Sequence, residues 1–232
     1  MGVSESRPIR SSDCAPELGR GGGPGGSAKS REQHIFIPIS GQPTFSIMHL
    51  EQRDLHQQLR RESIATRDRI ASLLRRVEPQ KLNEHPEPKG WSVAQVLEHL
   101  CRAGEQYLNP VLDLLRRSRP DAAAPIREWK PTFIGGKIAS SLENPKPIRF
   151  GPPGFKPGPT PRNGVVEAFH DLELRFQQVM DDAASYDWNE LHLHSPALPR
   201  FLPKMNLGDA FRIHVVHVTR HSRQIDRLVQ QL

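Results

Sequence analysis

Cysteine is nearly absent: the 232 residues contain two, Cys14 in a glycine-rich stretch and Cys101 in a helical pattern. Two thiols so placed build no disulfide framework, and reduced thiols point to a cytoplasmic protein. Aromatic residues make up 6% and all hydrophobic residues 36%, low for a fully packed globule yet above a disordered chain. No apolar run of about 18 residues occurs, so no membrane span is expected. The opening MGVSESRPIR has no apolar stretch of the kind a secretory leader needs. A dense Lys/Arg block is also missing. The formal charge of +6 and the pI near 9.7 come from basic residues spread along the chain. With little aromatic interleaving, that excess makes no case for nucleic-acid binding.

Proline and glycine are abundant, at 22 and 17, and unevenly placed. Eight glycines fall in residues 1–43 and ten prolines in 120–161. Residues 1–43, with the run GRGGGPGGSAKS, bury too little to offset ordering entropy and read as a disordered Gly-rich tail. The domain is expected to occupy 44–232. The 119–161 passage shows no helical period, and a connection this long is either functional or a crossover laid over the surface.

Four helices are predicted in the remainder. The first, from about 46 to 77, carries Leu55, Leu59, Thr66, Ile70, Leu73 and Val77 at three- and four-residue steps. The second opens at Ser92, with Gln95 three residues on completing a capping box. Pro110 lies inside its pattern, which implies a kink or an early end. The third spans about 162–185 on Val165, Phe169, Leu172, Phe176 and Val179. A proline-punctuated link at 187–205 leads to the last, from about Leu207 to the C-terminus, with Phe211, Val218, Ile225 and Leu228 inward. Without a convincing strand, this pattern implies an all-α four-helix bundle with one long crossover.

Of eleven histidines, three stand out by position. His217 and His221, in IHVVHVTRHSRQI, are spaced i, i+4 and so lie about 40° apart on one helical face. That spacing lets two imidazoles hold one divalent ion. His99, at the border of the second helix's apolar face, is placed to supply a third. Three histidines with one open position is the arrangement of a catalytic zinc or similar ion. His214 reads as a core or supporting histidine instead, and His192 and His194 as solvated positions on the link. Glu62, on the core-facing seam of the first helix, is open between orienting a ligand, sitting near a helix end and pairing with an arginine. Gln224 is equally open between holding a ligand imidazole and capping or facing solvent. Cys101 falls on another helical face from His99 and is assigned neither ligation nor catalysis.

These residues resemble a known family. Trp91-Ser92 leading into a helix with His99, and His217-Val-Thr-Arg-His221-Ser-Arg-Gln224 in the last helix, are similar to the DinB/YfiT-like superfamily over roughly residues 46–232. The resemblance implies a four-helix bundle holding a divalent metal, often zinc or nickel, on His99, His217 and His221. It also implies either a thiol-dependent S-transferase or a metal-dependent hydrolase, and a tendency to form homodimers. Two departures are visible: Arg223 stands where the family usually has glycine, and the 119–161 connector is long and proline-rich.

Two functions follow. One is a metal-dependent enzyme acting on a small electrophilic substrate, with water or a low-molecular-weight thiol at the open position. The other is a non-catalytic, stress-associated binding or scaffold bundle whose histidines are structural.

Overall fold

The computed structural model describes residues 50–86, 90–144 and 152–232. The expected tail at 1–43 lies outside the described residues. The four expected helices form as α1 (Gln52–Leu74), α2 (Val93–Arg117), α4 (Val165–Asp182) and α5 (Leu207–Val229). Around the bundle each helix has two neighbours: α1 packs on α5, α5 on α2, α2 on α4 and α4 on α1. Consecutive helices α1 and α2 therefore stand on a diagonal, as do α4 and α5. The shared interior holds Leu59, Ile70, Val96, Leu100, Phe176, Phe211 and Ile225, all buried, and burying such side chains supplies about 1.5–3 kcal/mol each.

Helix boundaries follow local chemistry. The Ser92 hydroxyl accepts from the Gln95 backbone N–H while the Gln95 side chain accepts from the Ser92 N–H, closing the capping box on α2. Asn206 and Asp209 form the same reciprocal pair at the start of α5. Pro110 does not end α2, which continues to Arg117 and keeps Val111 fully buried beyond the proline.

The passage at 119–161 departs from the expectation of no helical period. An eleven-residue helix, α3 (Phe133–Glu143), lies within it and packs against α5. Its sequence FIGGKIASSLE hides it, because the face it buries consists of Gly135 and Ala139. Such small residues leave no large-hydrophobe period to read. Close approach replaces bulk here. A Cβ added at Gly135 would stand 2.1 Å from the Asp209 Cγ. The Asp209 Oδ2 accepts from the Thr132 backbone N–H (3.0 Å) and hydroxyl (2.6 Å), and the Thr132 Oγ1 accepts from the Gly135 N–H at 3.0 Å. One carboxylate thus serves the starts of both α3 and α5.

The 187–205 link contributes a two-stranded antiparallel ribbon, β1 (His192–Leu193) and β2 (Met205–Asn206), with His192 opposite Asn206. Buried Gln52 holds the link's start to α1. Its amide nitrogen donates to the Ala184 and Tyr186 carbonyls (3.1 and 2.8 Å), and its oxygen accepts from the Trp188 N–H at 2.8 Å. Among the described residues, no helix is long and apolar enough to cross a membrane.

Gly135→Ala is expected to separate α3 from α5 and destabilise the protein by about 1–3 kcal/mol, the usual cost of overpacking. Urea denaturation of the variant against wild type measures it.

Candidate metal centre

His99 projects from α2 and His217 and His221 from α5, across the seam where these helices pack. One ring nitrogen from each lies within 4.8 Å of the others. The Nε2 atoms of His99 and His217 are 3.0 Å apart, near the spacing of about 3.3 Å that two nitrogens take around a tetrahedral ion at 2.0–2.1 Å. The His221 ring centroid is 4.7 Å from each of the other two. The i, i+4 step of α5 therefore sets two rings edge to face one turn apart, and α2 brings the third alongside them.

Each neutral imidazole carries one proton, and its position decides which nitrogen is free. The His99 Nδ1–H donates to the Phe155 carbonyl at 2.7 Å. The His221 Nδ1–H donates to the Gln224 Oε1 at 2.8 Å. Both bonds leave Nε2 as the lone-pair atom, the outer-shell arrangement typical of ligating histidines. The Trp91 ring packs tilted against His99, centroids 5.0 Å apart.

Burial dominates the electrostatics. It pushes His99 below its ordinary value, opposed by the Phe155 carbonyl. Burial, then the neighbouring His221 and His99, hold His217 well below its ordinary value. His221 is pushed down to about 3 by burial and by His99, against the Gln224 bond that raises it. All three rings are neutral at neutral pH, the form that ligates a metal. His99 is buried while His217 and His221 keep partial exposure, so solvent reaches the group from the α5 side.

A family model of the DinB superfamily matches residues 64–225, a span that includes all three histidines. The chain belongs to the DinB superfamily. No curated protein and no solved structure matches it.

In this DinB protein the remaining sequence candidates separate cleanly. His214, one turn before His217, turns away from the cluster. Its Nε2 bonds the buried Glu173 carboxylate at 3.0 Å, and its ring stacks on Phe176 at 3.5 Å between centroids. His192 is exposed on β1 and bonds the Glu190 carbonyl, and His194 is partly exposed. Glu62 accepts from Gln58 at 3.1 Å, and burial, the largest influence, raises its carboxyl above the ordinary value. It does not join the histidine group. Cys101 is fully buried, and burial pushes its thiol up to about 12, so it is no nucleophile.

Gln224 takes the imidazole-holding role among its two open ones. The Phe155 carbonyl was not foreseeable: any residue offers a carbonyl, and only the path of the link after α3 brings this one to His99. Arg220, between the two α5 histidines, donates to the Leu142 carbonyl at 3.1 Å and to the Asn144 carbonyl. The C-terminal end of α3 is thereby tied to the helix that carries the cluster.

The depressed imidazoles carry a pH dependence. Their folded values lie below the unfolded reference of 6.5, so the unfolded chain binds more protons in that range and stability rises with pH. The contribution is complete above about 6.5 and is lost as pH falls toward 3. Metal-free wild type is therefore expected to lose more stability between about pH 7.5 and pH 5 than His221→Gln does. Urea midpoints at the two pH values test this.

Proposed function

We propose that this DinB protein is a metal-dependent enzyme in which His99, His217 and His221 hold one divalent ion, zinc or nickel. The observation that carries the reading is the convergence of three neutral imidazole nitrogens within 4.8 Å of one another, from two helices. The donor chemistry supports the metal class. Imidazoles suit zinc, nickel, copper and iron, whereas magnesium and calcium require oxygen ligands. Among the described residues no carboxylate or thiol joins the three.

When bound, such an ion supplies Lewis acidity, which lowers the pKa of water or of a thiol. The protein's own part is to hold and orient. The Phe155 carbonyl and the Gln224 amide keep the His99 and His221 protons on Nδ1, and Trp91 covers one side of His99. Among the described residues no thiol joins the cluster, and Cys101 is buried and protonated. In this reading the attacking group arrives with the reactants. Water makes the enzyme a hydrolase, and a low-molecular-weight thiol makes it an S-transferase; in both cases the other reactant is a small electrophile.

Protein purified without a histidine tag is expected to carry about one equivalent of a divalent transition metal, as a single three-histidine site requires. His217→Ala is expected to carry almost none. Elemental analysis by inductively coupled plasma mass spectrometry decides it. A metal-free wild type that takes up no added zinc or nickel rejects the reading and leaves the non-catalytic bundle.

A further inference from the structure

The segment 152–162, between α3 and α4, lies along the face of α2 that carries His99. It is rich in proline, at Pro152, Pro153, Pro157, Pro159 and Pro161. Prolines lack the N–H needed for a ladder of the segment's own, and its carbonyls turn to α2 instead. Gly154 accepts from the Gln106 amide at 3.1 Å, Phe155 from His99 at 2.7 Å, and Gly158 from the Gln95 amide at 3.2 Å. These bonds to neutral groups are individually weak, about 0.5–1.5 kcal/mol net.

The strong attachment is at the far end. The Arg162 Nε donates to Glu98 Oε2 at 2.7 Å, and its Nη1 donates to Glu105 Oε1 at 2.7 Å. Its Nη2 adds longer bonds to Glu98 Oε1 (3.3 Å) and Glu105 Oε2 (3.4 Å). Glu98 is buried and directly precedes His99 in the chain. One guanidinium therefore grips two carboxylates that stand about two helical turns apart along one side of α2, the forked geometry arginine serves best. At the near end, the buried Phe155 ring packs edge-on to Tyr107.

We infer that Arg162 is a positioning residue of the histidine centre: by clamping the proline strap to Glu98 and Glu105, it holds the Phe155 carbonyl where it fixes the His99 proton on Nδ1. The inference rests on the metal-centre reading for its consequence, a tighter metal site, but not for its local claim about the proton. A strap stiffened by prolines passes the placement of its Arg162 end along to Phe155. Without the clamp, the carbonyl drifts, and the His99 proton is free to occupy Nε2, the atom that faces the cluster.

The test compares wild type with Arg162→Gln and Arg162→Lys, all free of histidine tags. In the metal-free proteins, ¹⁵N spectra of the imidazole rings are expected to show His99 as the Nδ1–H form in wild type. Arg162→Gln is expected to show a mixed population. Zinc affinity, measured against a competing chelator, is expected to fall about tenfold in Arg162→Gln, as for loss of other outer-shell partners. Arg162→Lys, which keeps the charge but not the fork, should recover part of it.

Arg102 also pairs with Glu98 at 2.7 Å, and these substitutions leave that partner in place for the buried carboxylate. Should Arg162→Gln nevertheless not fold, Glu105→Gln loosens one arm at a half-exposed position and is read the same way, with a smaller shift. An unchanged His99 tautomer with zinc affinity within about twofold of wild type overturns the inference. A wild type that binds no zinc while Arg162→Gln still shifts the tautomer rejects the metal reading and upholds the positioning role.

Discussion

The placement of two protons governs the centre of this molecule. An imidazole in a helical seam must be neutral, because burial penalises its charge, and it must give its one N–H to a partner. The His99 proton goes to a backbone carbonyl and the His221 proton to an amide oxygen one turn along its own helix. Once both are committed outward, the remaining nitrogens face inward toward His217. The His99 and His217 Nε2 atoms then stand 3.0 Å apart, a spacing that an N–H of His217 or a shared cation can satisfy. Imidazole donors grouped in this way suit a divalent transition metal.

Buried polar side chains dock the irregular segments, while apolar contacts hold the bundle itself. Gln52 receives the start of the 187–205 link, Asp209 joins the N-termini of α3 and α5, and Asn206 donates to the Lys130 carbonyl at 2.7 Å. In each case a side chain on or beside a regular helix satisfies the backbone of a link that cannot satisfy itself. The links are therefore specified by geometry as firmly as the helices, although their composition looks permissive. Their tight fit also explains why α3 can pack on glycine and alanine, since its position comes from hydrogen bonds as well as apolar area.

Most of the bundle was legible in the chain because large hydrophobic residues recur at helical spacing. Leu55, Leu59 and Ile70 on α1, or Phe169, Leu172 and Phe176 on α4, announce their helices without help from tertiary contacts. The capping box at Ser92 and Gln95 marked the start of α2 to the residue. Helix α3 was not legible, because its buried face is too small to leave a period. Pro110 misled in the other direction: its local cost is real, but the buried Val111 beyond it keeps the helix going.

For the candidate centre, residue identities and one helical turn were enough to pair His217 with His221, since an i, i+4 step is a property of any α-helix. Helical phase also placed His99 within reach of a neighbouring helix. Which of its nitrogens points inward depends on a carbonyl 56 residues away, and no local pattern encodes a contact made by backbone alone. The same holds for His214, which shares the core-facing arc yet is drawn off by Glu173 on α4. Local periodicity can name the rings that share a face. The direction in which each ring spends its proton is set by whatever the folded chain brings alongside, because a buried N–H takes the acceptor it meets.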